Sequence, residues 1–163
     1  MILGMSFSTF TTLHVIISLI GIVTGLVALL GMLGGKNLGG WTAVFLATTV
    51  LTSVTGFLFP FTKLLPSHVV GIVSLIVLAA ALLALYAFRL DGPWRWIYVV
   101  AAVLALYLNV FVGVVQAFQK VGQLRALAPT QTEPPFAAAQ GAVLLLFLIL
   151  GLVALRRFRP PTA

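Results

Sequence analysis

Five long apolar runs, parted by short polar stretches, make up most of the chain. They cover residues 10–33, 41–59, 68–88, 94–118 and 136–155. Each is on the order of 20 residues, the length that carries an α-helix across hydrocarbon about 30 Å thick. The pattern predicts an all-α, helical membrane bundle of five transmembrane helices, one domain over residues 1–163. The breaks are chemically distinct. Gly34-Gly35-Lys36-Asn37-Leu38-Gly39-Gly40 is a glycine-rich turn, Pro60 and Pro66 close the second run, and Arg89-Leu90-Asp91-Gly92-Pro93 interrupts the third and fourth. Ser67 is the expected N-cap of the third helix. In the polar stretch 119–135, Val121, Leu124 and Leu127 recur at a helical step, with Lys120, Gln123 and Arg125 among them. That stretch reads as a short interfacial helix before a proline-stiffened entry into the fifth run, or as an ordered loop.

Composition narrows the class further. The chain is 62% hydrophobic and 7% charged, with a mean hydropathy of +1.24. A soluble domain cannot bury that much apolar surface. The net charge of +7 does not point to nucleic acid, because the basic residues lie between the apolar runs. There is no cysteine, which excludes disulfides, thiolate metal sites and covalent haem attachment. Met1 to Ser8 carries no Lys or Arg, so the first run lacks a signal peptide's basic flank and is expected to remain a span.

The basic residues set an expected orientation. Lys36, Arg89, Arg95, Arg156, Arg157 and Arg159 fall at one end of an alternating bundle, and Lys63, Lys120 and Arg125 at the other. The end with six should face the cytoplasm, placing the N-terminus outside and the C-terminus inside a bacterial inner membrane. Trp41, Trp94 and Trp96 mark the cytoplasmic boundary, and Phe57, Phe59, Phe61, Phe118 and Phe136 the outer one. A repeat also emerges. His14-Val15 precedes His68-Val69, and Trp41 precedes Trp96, at nearly the same spacing. Two pseudo-repeated helical hairpins plus a fifth helix would account for it.

Chemistry gathers at the outer end. His14 and His68 each open an inward-running span and are expected in its first turn, at one depth. Ser18, Gly21 and Gly25 share the helical face of His14, and Gly21 and Gly25 form a small-xxx-small pair that admits a close neighbour. Imidazole near a helix N-terminus favours the neutral, metal-binding form. Two such rings across a four-helix core would hold one haem b, with His14 and His68 as iron ligands and electron transfer as the function. The alternative is that each ring simply hydrogen-bonds to water, headgroup or loop. Thr55, Gln116 and Gln140 are expected in the same outer half, with Asn109 near mid-membrane; buried amides there mark helix interfaces or a pocket for a quinone or lipid. A third reading is an accessory or scaffold subunit docking partner helices or further copies of itself. Asp91 and Glu133 lie in loops and no lysine lies mid-span, which argues against an ion-coupled carrier or a Schiff-base chromophore.

The segments Phe57-Leu58-Phe59-Pro60, Leu65-Pro66-Ser67-His68 and Ala128-Pro129-Thr130-Gln131-Thr132-Glu133-Pro134-Pro135-Phe136 resemble those of small bacterial multi-pass inner-membrane proteins. That resemblance covers most of the chain and implies no activity, cofactor or site residue. In its helix-bundle plan and paired histidines the chain is also loosely similar to membrane b-type cytochromes, which commonly carry their ligands deeper than His14 and His68.

Overall fold

The computed structural model describes residues 1–160 and is helical throughout, with no strand among those residues. Helix α1 spans Phe7–Leu33, α2 Gly39–Gly56, α3 Pro66–Leu82 with a π-helical turn at Leu83–Ala87, α4 Trp94–Lys120, α5 Gly122–Leu127 and α6 Pro134–Arg157. Helices α1, α3 (with its π turn), α4 and α6 are long and apolar enough to cross a membrane. The second expected span, which becomes α2, falls outside that group. Its 18 residues include Thr42, Thr48, Thr49, Thr52, Ser53 and Thr55, which dilute its apolar content.

Antiparallel packing follows from contacts at both ends. At the histidine end, Phe59 after α2 meets Phe7 and Phe10 of α1, and Phe118 of α4 meets Phe136 of α6. At the basic end, Tyr98 of α4 packs on Phe158 beyond α6. Helix α4 is the centre: it touches α1, α2, α3, α5 and α6. Its buried face, including Tyr98, Val99, Ala102, Ala105 and Leu106, supplies much of the core. The two hairpins α1–α2 and α3–α4 are both present, and α1 and α3 make no extensive contact with each other. The hairpins are unequal, since α2 has 18 residues and α4 has 27.

Three local devices set the helix ends. Ser6 Oγ accepts from the Thr9 backbone N–H at 3.1 Å, so α1 starts three residues before its expected apolar run. Ser67 is not the N-cap of α3. Pro66 occupies the first helical turn, where its missing N–H costs nothing, and the His68 side chain does the capping instead. Arg95 Nη1 donates to the carbonyls of Leu155 and Phe158 at 3.2 and 2.8 Å, tying the start of α4 to the end of α6.

Candidate functional site

His14 is the eighth residue of α1 and His68 the third of α3. The expectation that both occupy a first turn is therefore corrected for His14. With 1.5 Å per residue, His14 lies about 7.5 Å further from the start of its helix than His68 does from the start of its own. The reason is the Ser6 cap, which extends α1 outward beyond the apolar run.

The two rings also differ in chemistry. His14 Nδ1 lies 2.8 Å from Thr55 Oγ1. The Thr55 hydroxyl spends its hydrogen on the Leu51 carbonyl at 2.6 Å, the usual back-bond of a threonine inside a helix. With that hydrogen on the Leu51 carbonyl, Oγ1 meets the ring with lone pairs only; in this arrangement His14 Nδ1 is the donor and Nε2 the acceptor. Nε2 has no hydrogen-bond partner among the described residues. Phe59 meets the ring edge to face, centroids 5.1 Å apart. At His68 the order reverses. Nδ1 accepts from the Leu65 backbone N–H at 3.0 Å, so the neutral ring carries its proton on Nε2. Phe57 and Phe61 flank this ring at centroid distances of 5.7 and 4.2 Å, and the residue is only 5% exposed.

Two imidazoles sharing one iron each present an unprotonated nitrogen to the same point. His14 offers Nε2; His68 has Nδ1 engaged as a helix cap and its proton on Nε2. The rings sit on helices that make no extensive contact, each against different phenylalanines of residues 57–61. Among the described residues no group of three or more His, Asp or Glu side chains gathers.

The four expected pocket residues disperse. Thr55 belongs to the His14 pair. Gln140 Nε2 donates to the Phe111 carbonyl at 3.2 Å, linking α6 to α4, while its Oε1 is buried and unpartnered. Gln116 is exposed. Asn109 is 9% exposed and points its amide nitrogen, also unpartnered, toward Gly21. Leaving such a donor unpaired costs about 1–3 kcal/mol. None of the four lines the 420 Å³ cleft formed by Phe118, Gln119, Arg125, Pro129, Thr130 and Gln131 beside α5. None lines the crevice between α1, α2 and α4, which is too narrow for a water-sized sphere.

Sequence reasoning missed Arg95 as a helix tie and His68 as a cap. The signal for the latter was present: Pro66 two residues before His68 marks the first turn of a helix and puts His68 at the third position, where a side chain reaches back to the cap. No family model, curated protein or solved structure matches the chain.

Proposed function

We propose that this protein binds a hydroxyl-bearing molecule of the lipid phase, of the quinol class, with His14 as the group that recognises it. The single supporting observation is the relay Leu51 carbonyl, Thr55 hydroxyl, His14 Nδ1, which favours the Nδ1–H tautomer and with it Nε2 as an acceptor without a partner among the described residues. An acceptor of that kind pairs with an O–H and not with a carbonyl. It therefore selects a quinol over its quinone. The edge of Phe59 on the imidazole supports a ring-shaped, amphiphilic ligand, since aromatic pairs add attraction beyond area.

In this reading the chain crosses a bacterial inner membrane five times, N-terminus outside. Six basic residues against three support the orientation. The crossing of α2 is supported by its hydroxyls: Thr48, Thr49, Thr52, Ser53 and Thr55 all donate to carbonyls of their own helix and enter hydrocarbon already satisfied. His14 then lies in the outer leaflet.

The test is thermal unfolding of the purified protein with a short-chain quinol, the matching quinone, or phosphatidylglycerol. At 100-fold excess over Kd a ligand adds about 2.7 kcal/mol. Stabilisation by quinol alone, lost in His14→Phe, supports the reading. Equal stabilisation by the quinone, or no effect of His14→Phe, overturns it. Stabilisation by phosphatidylglycerol alone assigns the acceptor to a lipid headgroup hydroxyl and removes the quinol.

A second reading, an accessory subunit that docks a partner helix, is favoured by α6. Ala137 and Gly141 are an exposed small-xxx-small pair, and nothing lies within 4 Å of a Cβ built on Gly141. Crosslinking from a residue placed at Gly141 in native membranes tests it: a discrete adduct supports docking and none opposes it.

A further inference from the structure

The 420 Å³ cleft beside α5 falls in the range of roughly 300–1,000 Å³ that small-molecule sites occupy. His14, Thr55 and Phe59 do not line it, so it is separate from the site proposed above. Its walls are held in place. Gln131 takes a left-handed backbone, φ 60°, which is strained for a residue other than glycine. Its side chain donates from Nε2 to the Val115 carbonyl of α4 at 2.9 Å. Ala128 is fully buried and its N–H donates to the Leu124 carbonyl. The Glu133 carboxylate accepts from the Thr130 N–H, the Thr130 hydroxyl and the Thr132 N–H. These contacts fold residues 128–133 back onto α4.

Two polar groups on those walls are left over. The Arg125 guanidinium and the Gln119 amide have no hydrogen-bond partner among the described residues. Arg125 also lacks a carboxylate to pair with, since the chain has two acidic residues. Glu133 is turned to Thr130 and Thr132, and Asp91 lies between α3 and α4 at the basic end. An unpaired guanidinium beside a free amide, with Phe118 and Pro129 as apolar walls, is the complement of an oxyanion on an apolar body. The guanidinium fork matches phosphate oxygens in particular. We propose that the cleft binds the phosphate group of an anionic lipid, with Arg125 as its cation and Gln119 as a supporting donor. Inorganic phosphate would meet the same donors, but the surroundings favour a lipid. Val121 and Leu127, on either side of Arg125 along the chain, are 43% and 57% exposed and offer apolar surface to acyl chains. Helix α5 makes extensive contact with α4 alone, which leaves its remaining faces open to the membrane boundary.

The test is thermal unfolding of the full chain in detergent at fixed ionic strength, titrated with phosphatidic acid, phosphatidylcholine or inorganic phosphate. Phosphatidic acid should raise the midpoint, and the other two should not. Arg125 is exposed, so Arg125→Gln leaves the packing intact. It should raise the phosphatidic acid concentration needed about tenfold, the low end for hydrogen bonds to a charged group. Lys63→Gln removes an exposed charge outside the cleft and should leave the response whole. His14→Phe should leave it whole too, which separates this site from the quinol site. An unchanged response in Arg125→Gln overturns the proposal, and so does equal weakening in Lys63→Gln, which would reduce the effect to general surface charge. Loss of the response in His14→Phe would place the phosphate at the histidine instead and overturn it as well. Stabilisation by inorganic phosphate that Arg125→Gln removes would overturn the lipid as its source.

Discussion

His14 and Thr55 sit 41 residues apart in sequence and 2.8 Å apart in space, joining α1 to α2 through an Nδ1–H···Oγ1 hydrogen bond whose direction is set by the Leu51 carbonyl. The histidine is held by a group that can only accept. That makes its far nitrogen an acceptor in turn, and a threonine that looks like ordinary helix glue becomes the residue that orients the candidate site.

Thr55→Val removes the oxygen and keeps the branched shape. The lost bond is worth about 0.5–1.5 kcal/mol net, so affinity for the quinol should fall roughly tenfold at most while the fold persists. Isothermal titration in detergent checks this; unchanged affinity would detach Thr55 from the site.

Gly25→Ala should destabilise the bundle by about 1–3 kcal/mol through overpacking, because its new methyl meets Leu106 and Phe45 well inside contact distance. Gly113→Ala is the control. Its Cβ would meet only Ile22 Cδ1, at an ordinary 3.5 Å, and it should cost little. Unfolding in a graded detergent series separates the two, and equal costs would show that α1 does not press on α2 and α4 at Gly25.

Arg95→Met keeps the apolar stem and removes the donors to Leu155 and Phe158. Hydrogen bonds from a charged group are worth about 1.5–3 kcal/mol, so the end of α6 should loosen by that order. Hydrogen exchange at the last turn of α6 should accelerate while α2 exchanges unchanged.

Glu133, just before α6, gives the fold an acid limit. Desolvation is the largest single influence on its carboxyl and raises the pKa, but hydrogen bonds from the Thr130 hydroxyl and from the backbone of residues 130–133 together outweigh it and hold the pKa below its ordinary 4.5. A depressed folded-state pKa stabilises above the unfolded value, and the contribution disappears as pH falls through the folded one. Thermal midpoints should therefore drop on the acid side of pH 4.5 in the wild type, and Glu133→Gln should flatten that limb.

The bundle was legible because apolar length and polar breaks are one-dimensional signals. The runs 94–118 and 136–155 became α4 and α6 within two residues at each end. The convergence of polar residues was not legible. Asn109 and Gln116 share a helical face by spacing, yet Asn109 is buried against α1 and α2 while Gln116 is exposed. Periodicity assigns a face; it does not say whether a neighbouring helix reaches that level. Tautomers were out of reach for a related reason, since they depend on partners 41 residues away for His14 and three residues away for His68. The basic flank 156–159 shows in the sequence as charge alone, whereas the main-chain carbonyls of Leu155 and Phe158, not the arginines, make the contact with Arg95.

The most direct measurement uses the fact that the chain has two histidines. With ¹⁵N-histidine in nanodiscs, nitrogen shifts report which ring nitrogen bears the proton. His14 should be protonated at Nδ1 and His68 at Nε2, and reduced quinol should move the unprotonated Nε2 resonance of His14 while His68 stays fixed. A His14 ring protonated at Nε2, or one whose Nε2 ignores saturating quinol, would contradict the account.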